Sequence, residues 1–478
     1  MKPSFSKYSI LVLFFSFIIL TKISYSQNAN DALRLAVPGL GSDARALGMG
    51  NAYISLSDDA SASFFNPAGF GLLKRMEISG NLSYLNYKNN STFFNNETST
   101  SNSNTKLNRI SFAFPVPTIQ GSLVFGLSYH TEKDFTARMK FDGFNNDTTS
   151  MIQNLLPTDI PFDLYLTDLN NRTNIHGMLN QSGDIISTGS LNYWTFSGAI
   201  EVYQNVFVGA NINIATGSYT NNNDYYEDDT HNVYQGRTDP TDSTTQDFQT
   251  FYLNRILKWD ISGWNAKLGI IYQLNDFARF GATIQFPKNF TVKEDFLVSG
   301  YSQFGSGYTN NLDKNKYSDN VQYDITTPYE LGAGFSINYK GLIFSAEAKI
   351  IDYTQLEFSN GDGLSTQYIE SVNKDIKDQL RSVFNYNLGV EYTVPEIGLR
   401  LRGGYLTQPS AYDGDPSTYD RKYITAGFGF LTDQTVGFDF AYAHGWWQTF
   451  GDNYGTNVSR TNQDIKVDRF FLSATYRF

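Results

Sequence analysis

The sequence predicts an all-β protein, a 14-stranded antiparallel transmembrane β-barrel with an N-terminal plug in the lumen. Three observations predict it. Apolar and polar residues alternate with period two in segment after segment. Short links and long polar links between those segments alternate strictly, as they do when one end of a barrel faces the periplasm. Aromatic residues make up 16% of the chain beside only 17% charged ones, at a mean hydropathy of −0.35, a mixture suited to aromatic girdles outside and a polar lumen.

Residues 1–26 read as a signal peptide: Lys2 and Lys7, an apolar stretch from Ile10 to Leu20, and small residues at Ser24 and Ser26. Its removal takes away three lysines and no acidic residue, so the remainder is more acidic still than the −11 of the whole chain. An acidic surface argues against a nucleic-acid partner. No cysteine occurs, which excludes a lipoprotein anchor, disulfides and thiolate chemistry. After residue 26 no stretch approaches the roughly 18–20 apolar residues of a membrane helix, so insertion requires a closed barrel.

Residues 27–75 are rich in glycine (Gly39, Gly41, Gly48, Gly50, Gly69, Gly71) and lack a strand pattern, and are expected to plug the lumen, the alternative being a periplasmic extension. A fourteen-stranded cylinder is too wide for its own side chains to fill. One helical turn is expected around Ala44–Leu47, ended by Gly48. The barrel is expected over 76–478, with strands near 76–87, 106–116, 122–131, 191–203, 206–216, 262–274, 278–287, 327–340, 342–353, 383–394, 398–407, 422–432, 435–446 and 467–478. The last is the clearest: Phe470, Leu472, Ala474, Tyr476 and Phe478 share one face, Arg469, Phe471, Ser473, Thr475 and Arg477 the other. Tight links fall at 117–121, Gln204 and Asn205, 275–277, Gly341, 395–397, and Asp433 and Gln434. Long polar loops fall at 88–105, 132–190, 217–261, 288–326, 354–382, 408–421 and 447–466.

Chemistry-bearing motifs are sparse. GLGSDA at 39–44 has neither the preceding buried strand nor the long helix a phosphate-binding turn needs. His130, His176, His231 and His444 lie in or beside the predicted outer loops without metal or triad spacing, so no enzyme, metal or cofactor is expected. The run Glu227, Asp228 and Asp229 reads as a solvated loop rather than a calcium site. Two outer stretches are unusually apolar: 151–169, with Leu155, Leu156 and Phe162, and a helical pattern over 365–383. They are expected to form a lid, a capture site for a greasy ligand, or both.

The stretch GSDARALGMGNAYISLSDDASASFFNPAGFGLL at 41–73, with its NPA at Asn66, Pro67 and Ala68, resembles the N-terminal hatch of the FadL/TodX-type outer-membrane transporters of long-chain fatty acids and aromatic hydrocarbons. Two further blocks, 326–358 and 423–445, resemble the same family. The resemblance implies passive uptake of hydrophobic molecules, with long-chain fatty acids as the expected substrate, through a hatch-gated lateral opening in the bacterial outer membrane. It implies that Asn66, Pro67 and Ala68, followed in the hatch by Gly69, sit against an irregular third strand near Gly126; Phe64 and Phe65 beside the motif either contact the ligand or anchor the plug, and Leu155, Leu156 and Phe162 of the apolar outer loop are the other candidate ligand contacts. Expected partners are a hydrophobic ligand, outer-membrane lipid and the assembly machinery, which would engage the strand ending in Phe478; the barrel is expected to be a monomer. The DAR-x-x-GMG and NPA combination also resembles PorV-type barrels, partners in protein secretion.

Overall fold

Outward-pointing apolar side chains recur around the whole wall of the computed structural model, which describes residues 28–432, 435–454 and 459–478. Ile78, Phe112, Trp194, Ile212, Leu268, Phe344, Leu388, Phe428 and Leu472 are all exposed, on nine different strands. A continuous exposed apolar belt of this kind is what a bilayer covers. Among the described residues no helix is long and apolar enough to cross a membrane. The expected signal peptide at 1–26 and the turn at Asp433 and Gln434 lie outside the described residues.

Fourteen antiparallel strands form the wall. They are β1 (Glu77–Phe93), β2 (Asn96–Val116), β3 (Leu123–Asp134, resumed at Ala137–Asn145), β4 (Leu179–Tyr203), β5 (Val206–Asp228), β6 (Phe248–Leu274) and β7 (Ala278–Gln285, resumed at Asn289–Phe304). There follow β8 (Asp319–Thr326 and Glu330–Tyr339), β9 (Leu342–Asp352 and Glu357–Asp362), β10 (Ser382–Thr393), β11 (Leu399–Gln408), β12 (Arg421–Thr432), β13 (Val436–Asp452) and β14 (Arg460–Arg477). The wall closes where β1 pairs with β14, from Glu77 opposite Arg477 to Thr92 opposite Asn462. Breaks in β7 and β8 fall at Pro287 and Pro328, which have no N–H to give the ladder.

Several expected loops are strand. The link expected over 88–105 is a two-residue turn, Phe94 and Asn95, with both residues at positive φ, between strands that run on to Phe93 and start at Asn96. The expected loops over 132–190, 217–261, 288–326 and 447–466 shorten in the same way. Beyond the bilayer both faces of a strand meet polar surroundings, so Asn, Ser and Thr fill both and the period-two signal disappears while the backbone ladder continues.

Inside the wall, the segment after residue 28 holds α1 (Ala29–Ala36), α2 (Ala44–Gly48) and two short 3₁₀ turns, Ala60–Ser63 and Pro67–Leu72. Its residues from Ala44 to Ala52 are all buried. The Asn28 side chain accepts from Asn30 N and caps α1 together with Asp31. At the loop end, α3 (Met151–Asn154) and α4 (Ile160–Asp163) form a lid over a cluster that includes Ile152, Leu164, Phe248 and Phe304, while α5 (Thr366–Gln379) buries Val372 and Ile376.

The run at 227–229 corrects the solvated-loop expectation. Glu227 is fully buried, and its carboxylate accepts from Met151 N at 2.6 Å, Ile152 N and Gln181 Nε2, tying the start of α3 to the wall. Apolar outward residues on β5 end at Ile214, so Glu227 stands well beyond the membrane belt. Burial, opposed by those donors, pushes its carboxyl up to about 7. The folded lid therefore holds a proton that the unfolded chain gives up near pH 4.5, and its stability falls as pH rises through 7. Amides of α3 should exchange faster at pH 8 than at pH 5, after correction for intrinsic rates, and Glu227→Gln should remove the difference.

Candidate functional site: hatch and split wall

The NPA turn is seated on glycine. Asn66 caps the Pro67–Leu72 turn by accepting from Ala68 N at 3.1 Å, and its amide donates to Ile54 O at 2.9 Å and to Ile270 O on β6 at 3.1 Å. A Cβ on Gly269 would stand 1.9 Å from Asn66 Oδ1, and one on Gly209 2.4 Å from Ala68 N, so β5 and β6 can carry no side chain here. Gly126 does not face Asn66, Pro67 or Ala68 as expected; it makes room for the ring of Phe70, 2.5 Å from where its Cβ would be. The aromatic two residues beyond the motif reaches β3, and the motif itself lies against β5 and β6. Gly69 packs instead on the Ser57 backbone.

Charge pins the plug to the wall at three further strands. Arg45 of α2 makes a two-point pair with Glu391 of β10, both contacts at 3.0 Å, and also pairs with Asp58. Asp43, the N-cap of α2, pairs with Arg109 of β2 at 2.7 Å. Asp58 bonds Arg279 of β7 at 2.9 Å; burial alone would raise its carboxyl, but Arg45 and Arg279 hold it well below the usual range. These contacts give GSDARALGMGNAY a structural role: Asp43 and Arg45 are anchors, and the turn at Gly41 (φ 78°) packs on Phe64 and Phe65.

The third strand leaves the wall. Up to His130 it pairs with β2 on one side and with β4 on the other. A bulge follows between Thr131 and Lys133, and the resumed half, Ala137–Asn145, pairs among the described residues with β4 alone. On the other side of the split, Asn96–Leu107 of β2 pairs among the described residues with β1 alone. Side chains replace the missing ladder: Asn89 donates to Arg138 O, Ser91 to Lys140 O and Asn96 to Asp142 O. Lys106 bonds Asp134 at 2.8 Å and Asn104 reaches Thr136 Oγ1 at 3.4 Å across the seam. The plug meets the bend directly, since Lys133 Nζ donates to Arg34 O and Val37 O and Gly39 lies on the Glu132 carbonyl.

Behind the bend is a cavity of about 410 Å³, lined by Tyr87, Met139, Ile185, Tyr219 and Tyr225 with several asparagines, Arg34 and Arg138. Apolar contact runs from lid to hatch. Leu257 packs against both the lid cluster and a lumen cluster containing Tyr193, Tyr219 and Trp259. From there the rings of Tyr193, His130, Phe64, Phe65 and Tyr53 follow one another at 4.8–5.7 Å between centroids.

The sequence-derived ligand residues fall at two levels. Phe64 and Phe65 are in this ring column; Leu155 and Leu156 are half-buried in the lid, and Phe162 is exposed on top of it. His130, expected beside an outer loop, is instead buried in the lumen, because it occupies an inward position of β3. The other three histidines are apart from it and from one another: His176 bonds Gln153, His231 packs on Phe144, and His444 bonds Asp468. Sequence reasoning missed the seam residues Lys106, Asp134 and Lys133 and the cavity aromatics; only the clustering of Asp134, Phe135 and Thr136 after a strand hinted at a break.

No protein-family model matches the chain, and no curated protein does. Solved structures do. A Pseudomonas aeruginosa FadL homologue superposes over 93% of this chain and 100% of its own, at TM-score 0.57 and 12% identity. The Pseudomonas putida toluene transporter TodX covers 92% and 99%, at 0.56 and 14%. The Ralstonia pickettii toluene transporter TbuX covers 92% and 98%, at 0.50 and 15%. At such identity the likeness speaks of architecture, and the chain has the fold of the FadL/TodX-type channels, plug included.

Proposed function

We propose that this protein is an outer-membrane channel for passive uptake of hydrophobic small molecules, with long-chain fatty acids as the substrate class. The single observation that carries the reading is the split at β3: a wall that parts beside a mixed apolar and polar cavity gives a greasy molecule a way into lipid without crossing water. In this reading the lid over 151–169 captures the ligand, the cavity holds it, and the seam between β2 and the upper half of β3 releases it when the plug moves. Tyr and Met walls suit an alkyl chain, and the asparagines with Arg34 and Arg138 suit a carboxylate. Unbroken apolar contact from lid to hatch supports transport over a secretion-partner role. The fold neighbours named above are hydrocarbon and FadL-type channels, which supports a non-enzymatic reading.

Uptake of radiolabelled oleate by cells lacking their own transporter tests it. The intact protein should restore uptake, and Asn66→Ala should reduce it severalfold at equal outer-membrane level. A correctly inserted barrel that restores toluene but not oleate entry would overturn the fatty-acid assignment, and one that restores neither would overturn the channel.

A further inference from the structure

Charges on the outer wall are matched across strands at one place and mismatched at another. On β6 and β7 the register sets exposed Lys258 opposite Asp295 and Asp260 opposite Lys293. On the wall from β12 to β1 it aligns Lys422 with Trp446, Trp446 with Lys466, and Lys466 with Lys88, in one row across four strands. All four share the parity of the exposed Ile424, Phe438, Leu472 and Leu82 and so point out of the barrel. Like charges directly opposite on one face are unfavourable unless an anion lies between them. Lys88 has Asp468 at 3.0 Å, but that carboxylate also serves Tyr442 and His444. Among the described residues Lys422 donates only to Ser417 O and Lys466 makes no ion pair; Asp464, one row farther out, accepts from Gln448.

The row's height on the barrel identifies what would fill it. Tyr84, Phe470 and Tyr442 form a run of rings at 6.0 and 4.9 Å on the same wall, above Leu82, Leu472 and Phe440. Such a girdle marks the edge of the hydrocarbon layer. The lysine row lies four residues farther toward the loops, about 13 Å along the strands, and lysine side chains bend back toward the interface.

Resting on the membrane-spanning orientation proposed above, we infer that Lys88, Lys422, Lys466 and Trp446 form a binding site for a phosphate of an anionic lipid headgroup in the outer leaflet. The lysines supply the charge and Trp446 an indole at the same level. Native mass spectrometry of the full barrel in detergent, titrated with bisphosphorylated lipid A, its dephosphorylated form and inorganic phosphate, tests the site. Lys88→Gln/Lys422→Gln/Lys466→Gln should weaken binding of the bisphosphorylated lipid by about tenfold or more. Lys258→Gln/Lys293→Gln, removing charge from the matched wall, should leave it unchanged, and the dephosphorylated lipid should bind both forms equally. A triple variant with wild-type affinity would overturn the site; displacement of the lipid by millimolar inorganic phosphate would make it a free-anion site and overturn the lipid assignment. Folding of each variant is read from its heat-dependent gel shift. Oleate uptake by the triple variant should equal wild type, so loss of the transport reading leaves the binding result intact.

Discussion

Replacing Arg45 by alanine should turn a sealed barrel into a leaky one. The guanidinium ties the plug to the wall through Glu391 and holds Asp58 of the plug itself at the same time. Its loss leaves Glu391 buried with Arg402 as its remaining ion-pair partner among the described residues, and Asp58 with Arg279. Breaking a buried pair from one side typically costs about 3–5 kcal/mol. That cost falls on the plug, because the wall around Glu391 and Arg279 is held by its own backbone ladder. Single-channel recording in planar bilayers should show large, flickering openings for Arg45→Ala where the parent stays closed, with unchanged heat-dependent mobility of the barrel. A silent Arg45→Ala channel would mean the plug is held by its glycine seat alone.

The second large effect is expected at that seat. Gly269→Val puts a branched side chain where Asn66 Oδ1 lies 1.9 Å from the new Cβ, so the Pro67–Leu72 turn must lift. Lifting forfeits the bonds of Asn66 to Ile54 O and Ile270 O, each worth about 1 kcal/mol, and overpacking adds about 1–3 kcal/mol. Valine is at home in a strand, so β6 itself should persist. Ala62 is fully buried beside this turn and the protein has no native cysteine, which makes Ala62→Cys a clean reporter. Maleimide added from the periplasmic side should label Ala62→Cys at least about tenfold faster in the Gly269→Val background. Equal labelling would show that the turn absorbs the valine without moving.

How much of this was legible in the sequence follows from where side chains alternate. Phe470, Leu472, Tyr476 and Phe478 against Phe471 and Ser473 announce β14 because lipid and lumen demand opposite polarity. The Asn-, Ser- and Thr-rich ends of β1 and β2 announce nothing, since water and lumen demand the same. The Asn28-x-x-Asp31 capping pair at the start of α1 was present to be read, but eight residues are too few to establish a helical period. Glu227 reads as one of three adjacent acids; only the tertiary approach of α3 separates it from its neighbours. The hatch motif was visible as NPA, but its partners were not: Gly209 and Gly269 look like any strand glycines until the turn is placed on them, and Gly126 took the Phe70 ring instead. The bend in β3 falls where Lys133 and Glu132 meet Arg34, Val37 and Gly39, contacts between distant parts of the chain that no local pattern announces.

In the proposed route, ligand leaves through the seam where β2 and the upper half of β3 part. Asn104 and Thr136 face each other across it at 3.4 Å between side-chain atoms, so Asn104→Cys/Thr136→Cys places two thiols in a chain with no others. Oleate uptake should fall to the background of cells without the protein when this pair is oxidised and return on reduction, with either single variant indifferent to oxidation. Full uptake through the oxidised, cross-linked barrel would contradict a lateral exit at β3.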